Sequence, residues 1–188
     1  MTYTRPPLAA LLTALFTLFA FPAHAGDCLR LCDPGFMRTA TAQDIRAEID
    51  KGADIKARTT DSLSPLHFAA LLNNAEAVTA IVNAGADVEA RTKNESTPLH
   101  LAAIRGSAAT ITALLKAGAV LDARNTLSGT PLHYAAGNGN AEAVTALLKA
   151  GANAKARGPD GDTPYDLARM TGKLTDTEAL QRLKDAAQ

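Results

Sequence analysis

A 33-residue period constrains this chain more than any other feature of its sequence. Four tetrapeptides of the Thr-Pro-Leu-His type, each beginning 33 residues after the previous one, mark the period: 64–67, 97–100, 130–133 and 163–166. A Gly-Ala pair recurs at the same interval, at Gly52, Gly85, Gly118 and Gly151. Two independent marks in phase over four periods predict stacked units, none of which can bury its apolar face alone.

Each period carries the sequence signals of a helix, a turn and a second helix. Ser or Thr before Pro starts the first helix, because the hydroxyl accepts an unpaired backbone N–H and Pro fits the first turn. A residue type that tolerates left-handed backbone follows the first helix and is expected to end it. These residues are Asn73, Gly106, Gly139 and Gly172. Apolar residues at helical spacing then predict the buried stripe of the second helix. They are Val78, Ile81, Val82, Ile111, Leu114, Leu115, Val144, Leu147 and Leu148.

At these residues the chain resembles the ankyrin repeat family, over roughly residues 31–188. The resemblance implies an all-α solenoid of stacked helix–turn–helix units with projecting hairpin-like loops. The family usually has Gly two residues before the Thr-Pro pair, and only Gly161 fits that rule. Ser62, Glu95 and Ser128 stand in the other loops, which leaves the shape of those three loop tips open.

The first 25 residues have the features of a secretory signal peptide. Arg5 is their only charged residue, an apolar run covers residues 8–21, and Ala23 and Ala25 are the small residues that a signal peptidase recognises. The run is shorter than the ~20 residues of a membrane span, although a retained membrane anchor is the alternative. We expect cleavage after Ala25, secretion across the inner membrane and a periplasmic location.

The marks also divide the chain. Residues 1–25 form the signal peptide, residues 26–32 a short cysteine-containing segment, and residues 33–188 the repeat domain. Five units are expected in that domain: 33–58 as a degenerate N-terminal cap, 59–91, 92–124, 125–157, and 158–188 as a C-terminal cap.

The two terminal units have their own helix signals. Asp33 before Pro34 starts the first helix of the N-terminal unit. Thr41 with Asp44, and Thr175 with Glu178, predict capping boxes for the two terminal second helices. The charged residues Glu48 and Lys184 interrupt the apolar stripes there. More polar terminal units are what a stack needs in order to end in water.

Cys28 and Cys32 are the only cysteines of the chain. In an exported protein we expect a small disulfide loop between them, with free thiols or an intermolecular bridge as alternatives. Their spacing is not that of a Cys-x-x-Cys redox site, and a zinc site would lack its other ligands.

Composition and motifs argue against catalysis, cofactors and nucleic acid. After cleavage the chain carries 18 basic and 19 acidic residues, which is no footprint for nucleic acid or an anionic membrane. No nucleophile-elbow, zinc-protease or phosphate-loop motif occurs. His67, His100 and His133 lie one unit apart, about 10 Å by helix packing, and cannot share a metal that binds nitrogen at about 2.1 Å. The resemblance implies structural histidines, bonded to Thr or to a neighbouring loop. We therefore predict no enzyme, metal or cofactor.

An arginine also recurs with the period, where each loop begins. The column consists of Arg58, Arg91, Arg124 and Arg157. One hypothesis is that it faces an acidic partner. The alternative is that the arginines are solvated or form local ion pairs with acidic residues two to four positions upstream. Exposed ion pairs of this kind contribute little to stability. The acidic residues are Asp54, Asp87, Glu89 and Asp122.

Apolar residues also occupy positions that the ankyrin family exposes to partners. The resemblance implies a concave surface formed by the loop tips and the ends of the first helices. On it we expect apolar contacts from Leu63 and Leu127 in the loops and from Leu71, Leu72, Ile104 and Met170 near the helix ends, with Arg105 and Asn138 as polar companions. A contiguous exposed apolar patch marks an interaction site. The alternative is that some of these residues complete the core between units.

We therefore interpret the chain as an exported, monomeric protein–protein interaction module. No stable membrane insertion is expected after the signal peptide is removed. Three alternatives remain, and each requires a different property of the protein. An inhibitor or immunity-type protein would occlude a secreted enzyme. An enzyme would need a deep pocket with converging titratable groups. A structural surface protein would self-assemble.

Overall fold

The computed structural model describes residues 30–188. The expected signal peptide and Cys28 lie outside the described residues. Within this described range a 3-10 turn at Arg30–Cys32 precedes ten helices. They are α1 (Pro34–Thr39), α2 (Ala42–Asp50), α3 (Pro65–Leu71), α4 (Ala75–Asn83), α5 (Pro98–Arg105), α6 (Ala108–Lys116), α7 (Pro131–Asn138), α8 (Ala141–Lys149), α9 (Pro164–Thr171) and α10 (Thr177–Ala186).

The helices form two layers. The first helices α1, α3, α5, α7 and α9 contact one another in chain order, and the second helices α2, α4, α6, α8 and α10 do the same. The core lies between the layers. Val78, Ile81, Ile111, Leu114 and Leu147 of the second helices are fully buried in it. The all-helical solenoid expected from the period is confirmed, and no strand occurs among residues 30–188.

The expected signals start the first helices. The Thr163 hydroxyl accepts the backbone N–H of Asp166 at 3.2 Å, while the Asp166 carboxylate accepts the N–H of Thr163 at 3.0 Å. This reciprocal pair satisfies two donors that have no partner inside the helix. His67, His100 and His133 take the place of Asp166 in the preceding units.

The ends of the first helices differ from unit to unit. Asn73, Gly139 and Gly172 have the left-handed backbone expected of them, with φ of 59°, 75° and 62°. Gly106 instead has φ −70° and ψ 150°, an extended conformation. There the chain leads directly into Ser107, whose hydroxyl caps α6.

The N-terminal unit follows the sequence signals. Asp33 caps α1, and Thr41 with Asp44 forms the capping box of α2. Glu48, which interrupts the apolar stripe, is 8% exposed. Its carboxylate lies 2.9 Å from the Lys51 ammonium and 3.4 Å from the Arg30 guanidinium. The two cations offset the cost of burying a charge at the end of the stack.

The last helix begins differently from the prediction. The expected capping box of Thr175 with Glu178 is wrong, because Asp176 is the N-cap of α10. One carboxylate oxygen of Asp176 accepts the N–H groups of Glu178 at 2.9 Å and Ala179 at 3.1 Å. A carboxylate at a helix N-terminus also meets the positive end of the helix dipole, an advantage that a Thr hydroxyl lacks.

The hairpin-like loops between units, residues 59–64, 92–97, 125–130 and 158–163, are called finger loops below. All four tips have the same turn. Ser62, Glu95 and Ser128 adopt φ of 62°, 58° and 55°, as Gly161 does at 81°. In each loop the N–H of the tip residue donates to the carbonyl three positions upstream. The three non-glycine tips therefore keep the turn despite the backbone strain.

That strain predicts a stabilising substitution. Glu95→Gly is expected to raise the free energy of unfolding by about 0.5–1 kcal/mol. The gain is the left-handed cost of about 1–2 kcal/mol, reduced by the greater chain entropy of Gly in the unfolded state. Urea unfolding would measure it. Glu95→Ala is the control, since it removes the same charge and keeps the strain. Equal stability of the two variants would contradict the prediction.

Backbone bonds join neighbouring finger loops. The N–H of Lys93 donates to the Asp61 carbonyl at 3.1 Å, and the N–H of Thr126 donates to the Asn94 carbonyl at 3.1 Å. Pro159 holds the equivalent position in the last loop and has no N–H to donate. The row of inter-loop bonds therefore ends there. Among residues 30–188, no helix combines the length and the apolar character that crossing a membrane requires.

Candidate interaction surface

The first column of candidate residues, the histidines, connects each unit to the next. The backbone N–H of Ser64 donates to His67 Nδ1 at 3.1 Å, so this nitrogen is the acceptor and the proton is on Nε2. Nε2 then donates to the Ser96 carbonyl of the next finger loop at 3.2 Å. His100 and His133 repeat both contacts, toward Gly129 and Asp162.

Burial keeps these histidines neutral. His67 and His100 are fully buried, and desolvation of the charged imidazolium lowers the pKa of each to about 4. Burial likewise lowers the pKa of His133. Both ring nitrogens of each side chain already bond to protein groups. The three histidines thus bond each unit to the finger loop of the next, as the resemblance implied.

The second column, the arginines, also bonds from unit to unit. Arg91 Nη1 donates to the Glu95 carbonyl of its own loop at 2.8 Å and to the Arg124 carbonyl of the next unit at 2.9 Å. Arg124 Nη1 repeats this toward Ser128 at 2.9 Å and Arg157 at 2.8 Å.

The two ends of the arginine column have fewer contacts. In the described part of the chain, Arg157 Nη1 donates only to the Gly161 carbonyl, at 2.7 Å. Arg58 is exposed and forms no hydrogen bond with residues 30–188. The column is therefore most firmly held in the middle of the stack.

The acidic residues upstream of the arginines are mostly engaged elsewhere. Within residues 30–188, only Glu89 lies within ion-pair distance of the column, with its carboxylate 3.6 Å from Arg91 Nη2. Asp54 and Asp87 accept backbone N–H groups two positions on. Asp122 accepts the N–H of Asn153 in the next unit. Neither local pairing nor solvation therefore accounts for most of the column, since the guanidinium groups mainly hold backbone carbonyls.

The apolar candidates differ in exposure. Leu63 and Leu127 in the finger loops, and Leu71 and Leu72 at the end of α3, are half-buried and pack against the core. Ile104 is only 6% exposed and belongs to the core itself. The alternative expectation, that the residue completes the core between units, therefore holds for Ile104.

Three further candidates lie at the ends of the first helices. Met170 is 60% exposed. Arg105 is exposed at the end of α5. Asn138 is half-buried and donates from Nδ2 to the Tyr134 carbonyl at 2.9 Å. The half-buried leucines, Met170 and Arg105 are accessible, and their role in binding a partner stays a prediction.

A buried polar cluster was not predicted from the sequence. Asn125 Nδ2 donates to the Tyr134 hydroxyl at 2.5 Å and to the Ser96 hydroxyl at 3.2 Å, while Asn125 Oδ1 accepts two N–H groups of its own loop. The signal was present, because Tyr134 occupies the apolar position that Phe68 and Leu101 hold in other units. A buried Tyr needs a partner for its hydroxyl. The cluster secures the central finger loops to each other.

The N-terminal segment is described only in part. Cys32 is half-buried against the core. Cys28 lies outside the described residues, so the disulfide between them stays a prediction.

Comparison with protein families identifies these units. The family described as ankyrin repeats (3 copies) matches residues 40–125, and ankyrin repeats (many copies) matches residues 114–168. Together the matches span more than half of the chain. Comparison with curated proteins gave no match. Ankyrin repeats are protein–protein interaction modules, and the two family matches agree with the stacked helix pairs described above. The chain belongs to the ankyrin repeat family.

Proposed function

We propose that this protein is exported and binds another protein through one continuous surface. We assign to that surface the four finger loops, the arginine that precedes each of them, and the C-terminal ends of α3, α5, α7 and α9. These are the positions at which the family resemblance implies a concave surface. The observation that carries the proposal is the bonding between units. Buried histidines and carbonyl-bound arginines fix neighbouring loops to each other, so the surface is ordered before a partner arrives and little entropy is lost on binding.

Shape and a few anchors would provide the affinity. Leu63, Leu71 and Leu72 near the N-terminal end of the stack and Met170 near its C-terminal end offer apolar contact area, and the exposed Arg105 lies in a unit between them. Interfaces concentrate their binding energy in such central anchors within a polar rim. The mechanism requires no cofactor and no catalytic group, and we propose that the protein acts as a monomer without catalysis.

Export rests on the sequence alone. The apolar run of residues 8–21, the lone Arg5 and the small residues Ala23 and Ala25 support a cleaved signal peptide. We propose the periplasm as the working compartment. Detection of a mature chain beginning at residue 26 in a periplasmic fraction would support this location, and an uncleaved chain in the cytoplasm would exclude it.

Crosslinking in the native compartment followed by mass spectrometry tests the proposed binding. One protein recovered in stoichiometric amount, and crosslinked to the finger loops or first-helix ends, is the expected result. Recovery of an exported enzyme that loses its activity on binding would favour an inhibitor or immunity-type function. Absence of any stoichiometric crosslink to this surface would overturn the proposal.

Leu72→Asp tests the apolar anchors. Leu72 is half-buried at the end of α3, and a carboxylate there would have to be desolvated when a partner covers it. Capture of the crosslinked partner is expected to be lost, while thermal unfolding changes by a few degrees at most.

Val120→Asp is the control, since Val120 is 52% exposed and follows α6, outside the residues assigned to the proposed surface. It should leave capture unchanged. A large fall in the thermal midpoint of Leu72→Asp would instead assign Leu72 to the core.

A further inference from the structure

The middle and the C-terminal end of the arginine column carry unused hydrogen-bonding capacity. The two carbonyl bonds of Arg124 both come from Nη1, and the single bond of Arg157 also comes from Nη1. Nη2 and Nε of both residues make no hydrogen bond with residues 30–188. Neither residue forms an ion pair there, and both are exposed. Each guanidinium is thus held in place with one edge open.

Such an edge suits a carboxylate. The Nη2 and Nε groups of an arginine match the two oxygens of a carboxylate in a bidentate pair. Because carbonyls already fix Nη1, less side-chain entropy is lost than when a free arginine is captured. The surroundings add to the attraction at Arg124, since Arg91, Lys93 and Arg105 lie in the second and third units and Asp122, two positions upstream, accepts the N–H of Asn153. The last finger loop instead carries Asp160 and Asp162. After the hydrogen bonds from Thr163, Arg157 also lowers the pKa of Asp166. At Arg157 the attraction therefore comes from the open edge of that guanidinium alone.

The spacing of the column selects the form of the ligand. Arginines in successive stacked units lie about 10 Å apart, the usual distance between packed helices. Two residues seven apart in an α-helix lie about 10.5 Å apart on nearly the same face. In an extended chain three residues span about 10 Å, but their side chains point to opposite faces. A helix therefore presents carboxylates at the required interval and on the required side.

We propose that the arginine column binds an acidic amphipathic helix of the partner protein, with carboxylates that recur every seven residues. The inference rests on the proposed function, since the helix would belong to the protein captured by this surface. Arg124 and Arg157 take successive carboxylates. Arg91 takes a smaller share, because Glu89 already lies 3.6 Å from its Nη2. Leu127, in the finger loop between Arg124 and Arg157, is available to apolar residues of the same helix face.

Two labelled synthetic peptides of about 21 residues, the length of three heptads, test the spacing. Both contain the same numbers of Glu, Leu, Ala and Gln. In the first, three Glu residues stand seven apart, with Leu three and four positions after each. In the second, the Glu residues stand five apart, which scatters them around the helix. Fluorescence anisotropy with the mature chain is expected to show binding of the first peptide only, weakened by added salt.

Variants test the residues. Arg157→Gln and Arg124→Gln are each expected to weaken binding of the first peptide about three- to tenfold, the range for one exposed but oriented ion pair. Lys149→Gln is the control, since it removes one exposed positive charge from α8 in the other layer, and it should leave binding unchanged. Circular dichroism shows whether each variant is folded. Arg157 carries only one carbonyl bond, so its variant remains informative if Arg124→Gln loses structure.

The outcomes separate this inference from the proposed function. Equal binding of both peptides, an equal loss with Lys149→Gln, or no binding of either peptide would overturn the acidic-helix ligand. If crosslinking still recovers a partner at the finger loops, and Arg157→Gln captures it normally, the proposed function stands and this inference fails. If no partner is recovered, the proposed function fails on its own test.

Discussion

Acidification from about pH 6.5 to about pH 4 is expected to remove several kcal/mol of stability from the stack. With an unfolded-state pKa near 6.5 and a folded-state pKa of about 4, His67 and His100 each account for a loss of about 3 kcal/mol. His133, whose pKa is also lowered, adds to the loss in the same direction. A total of this size approaches the whole stability of an ordinary domain.

The sign of the effect follows from which state binds the protons. Below about pH 6.5 the unfolded chain takes up a proton on each histidine, while the folded chain does not until about pH 4. Burial is the main cause, and nearby charges modify it. Arg58 lowers and Asp87 raises the pKa of His67, while Arg91 and His133 lower that of His100. A proton on Nδ1 would also face the backbone N–H of the cap residue, which now donates to it.

Urea unfolding at several pH values between 7.5 and 4 measures this loss. His100→Gln is the informative variant, since its amide can accept and donate like the imidazole but does not titrate. The His100→Gln protein should be less stable than the wild type at neutral pH. Its free energy of unfolding should fall less steeply on acidification, and the difference in slope should be at most about 1.4 kcal/mol per pH unit. The carboxyls of Asp44 and Asp166, whose pKa values are lowered, add a smaller loss that begins only at about pH 5, where the unfolded chain starts to protonate them. The part of the slope between about pH 7 and about pH 5 therefore reports the histidines. An unchanged slope in His100→Gln would contradict the histidine mechanism.

The features that recur locally were predictable from the sequence. Ser or Thr before Pro predicted the start of the first helix in four units, and Asp33 before Pro34 predicted it in the N-terminal unit. The apolar stripe of residues such as Ile111 and Leu114 predicted the buried face of the second helices. These follow from short-range rules of capping and periodicity. The left-handed ends at Gly139 and Gly172 follow from backbone sterics in the same way.

The features that depend on the neighbouring unit were harder to predict. The bonds from Arg91 and Arg124 to carbonyls 33 residues away exist only because the stack brings one loop beside the next. The burial of Ile104, where a binding contact was one of the expectations, also depends on what packs against the end of α5. Sequence spacing identified the candidate positions. It did not show which of these positions form contacts within the stack and which are free to contact a partner.

Gly139→Ala is expected to destabilise the protein by about 2–4 kcal/mol. Two costs add in this substitution. Alanine at a φ of 75° costs about 1–2 kcal/mol. The new Cβ would also overlap the backbone carbonyl of Lys173, in the segment between α9 and α10. Relief of such an overlap within a packed structure costs typically a further 1–3 kcal/mol.

Gly172→Ala separates the two costs, because Gly172 ends α9 with a φ of 62° and a Cβ added there would meet no atom within 4 Å. The free energy of unfolding of Gly172→Ala should therefore fall only by the cost of placing an alanine in left-handed backbone. Urea unfolding of both variants gives the difference, and equal losses would show that Lys173 moves away freely.

Since each unit of a stack contacts only its neighbours, the extra loss of stability in Gly139→Ala should be confined to the last units. Amide hydrogen exchange should then speed up in α10 far more than in α4, whereas uniform acceleration would mean that the last unit does not open separately.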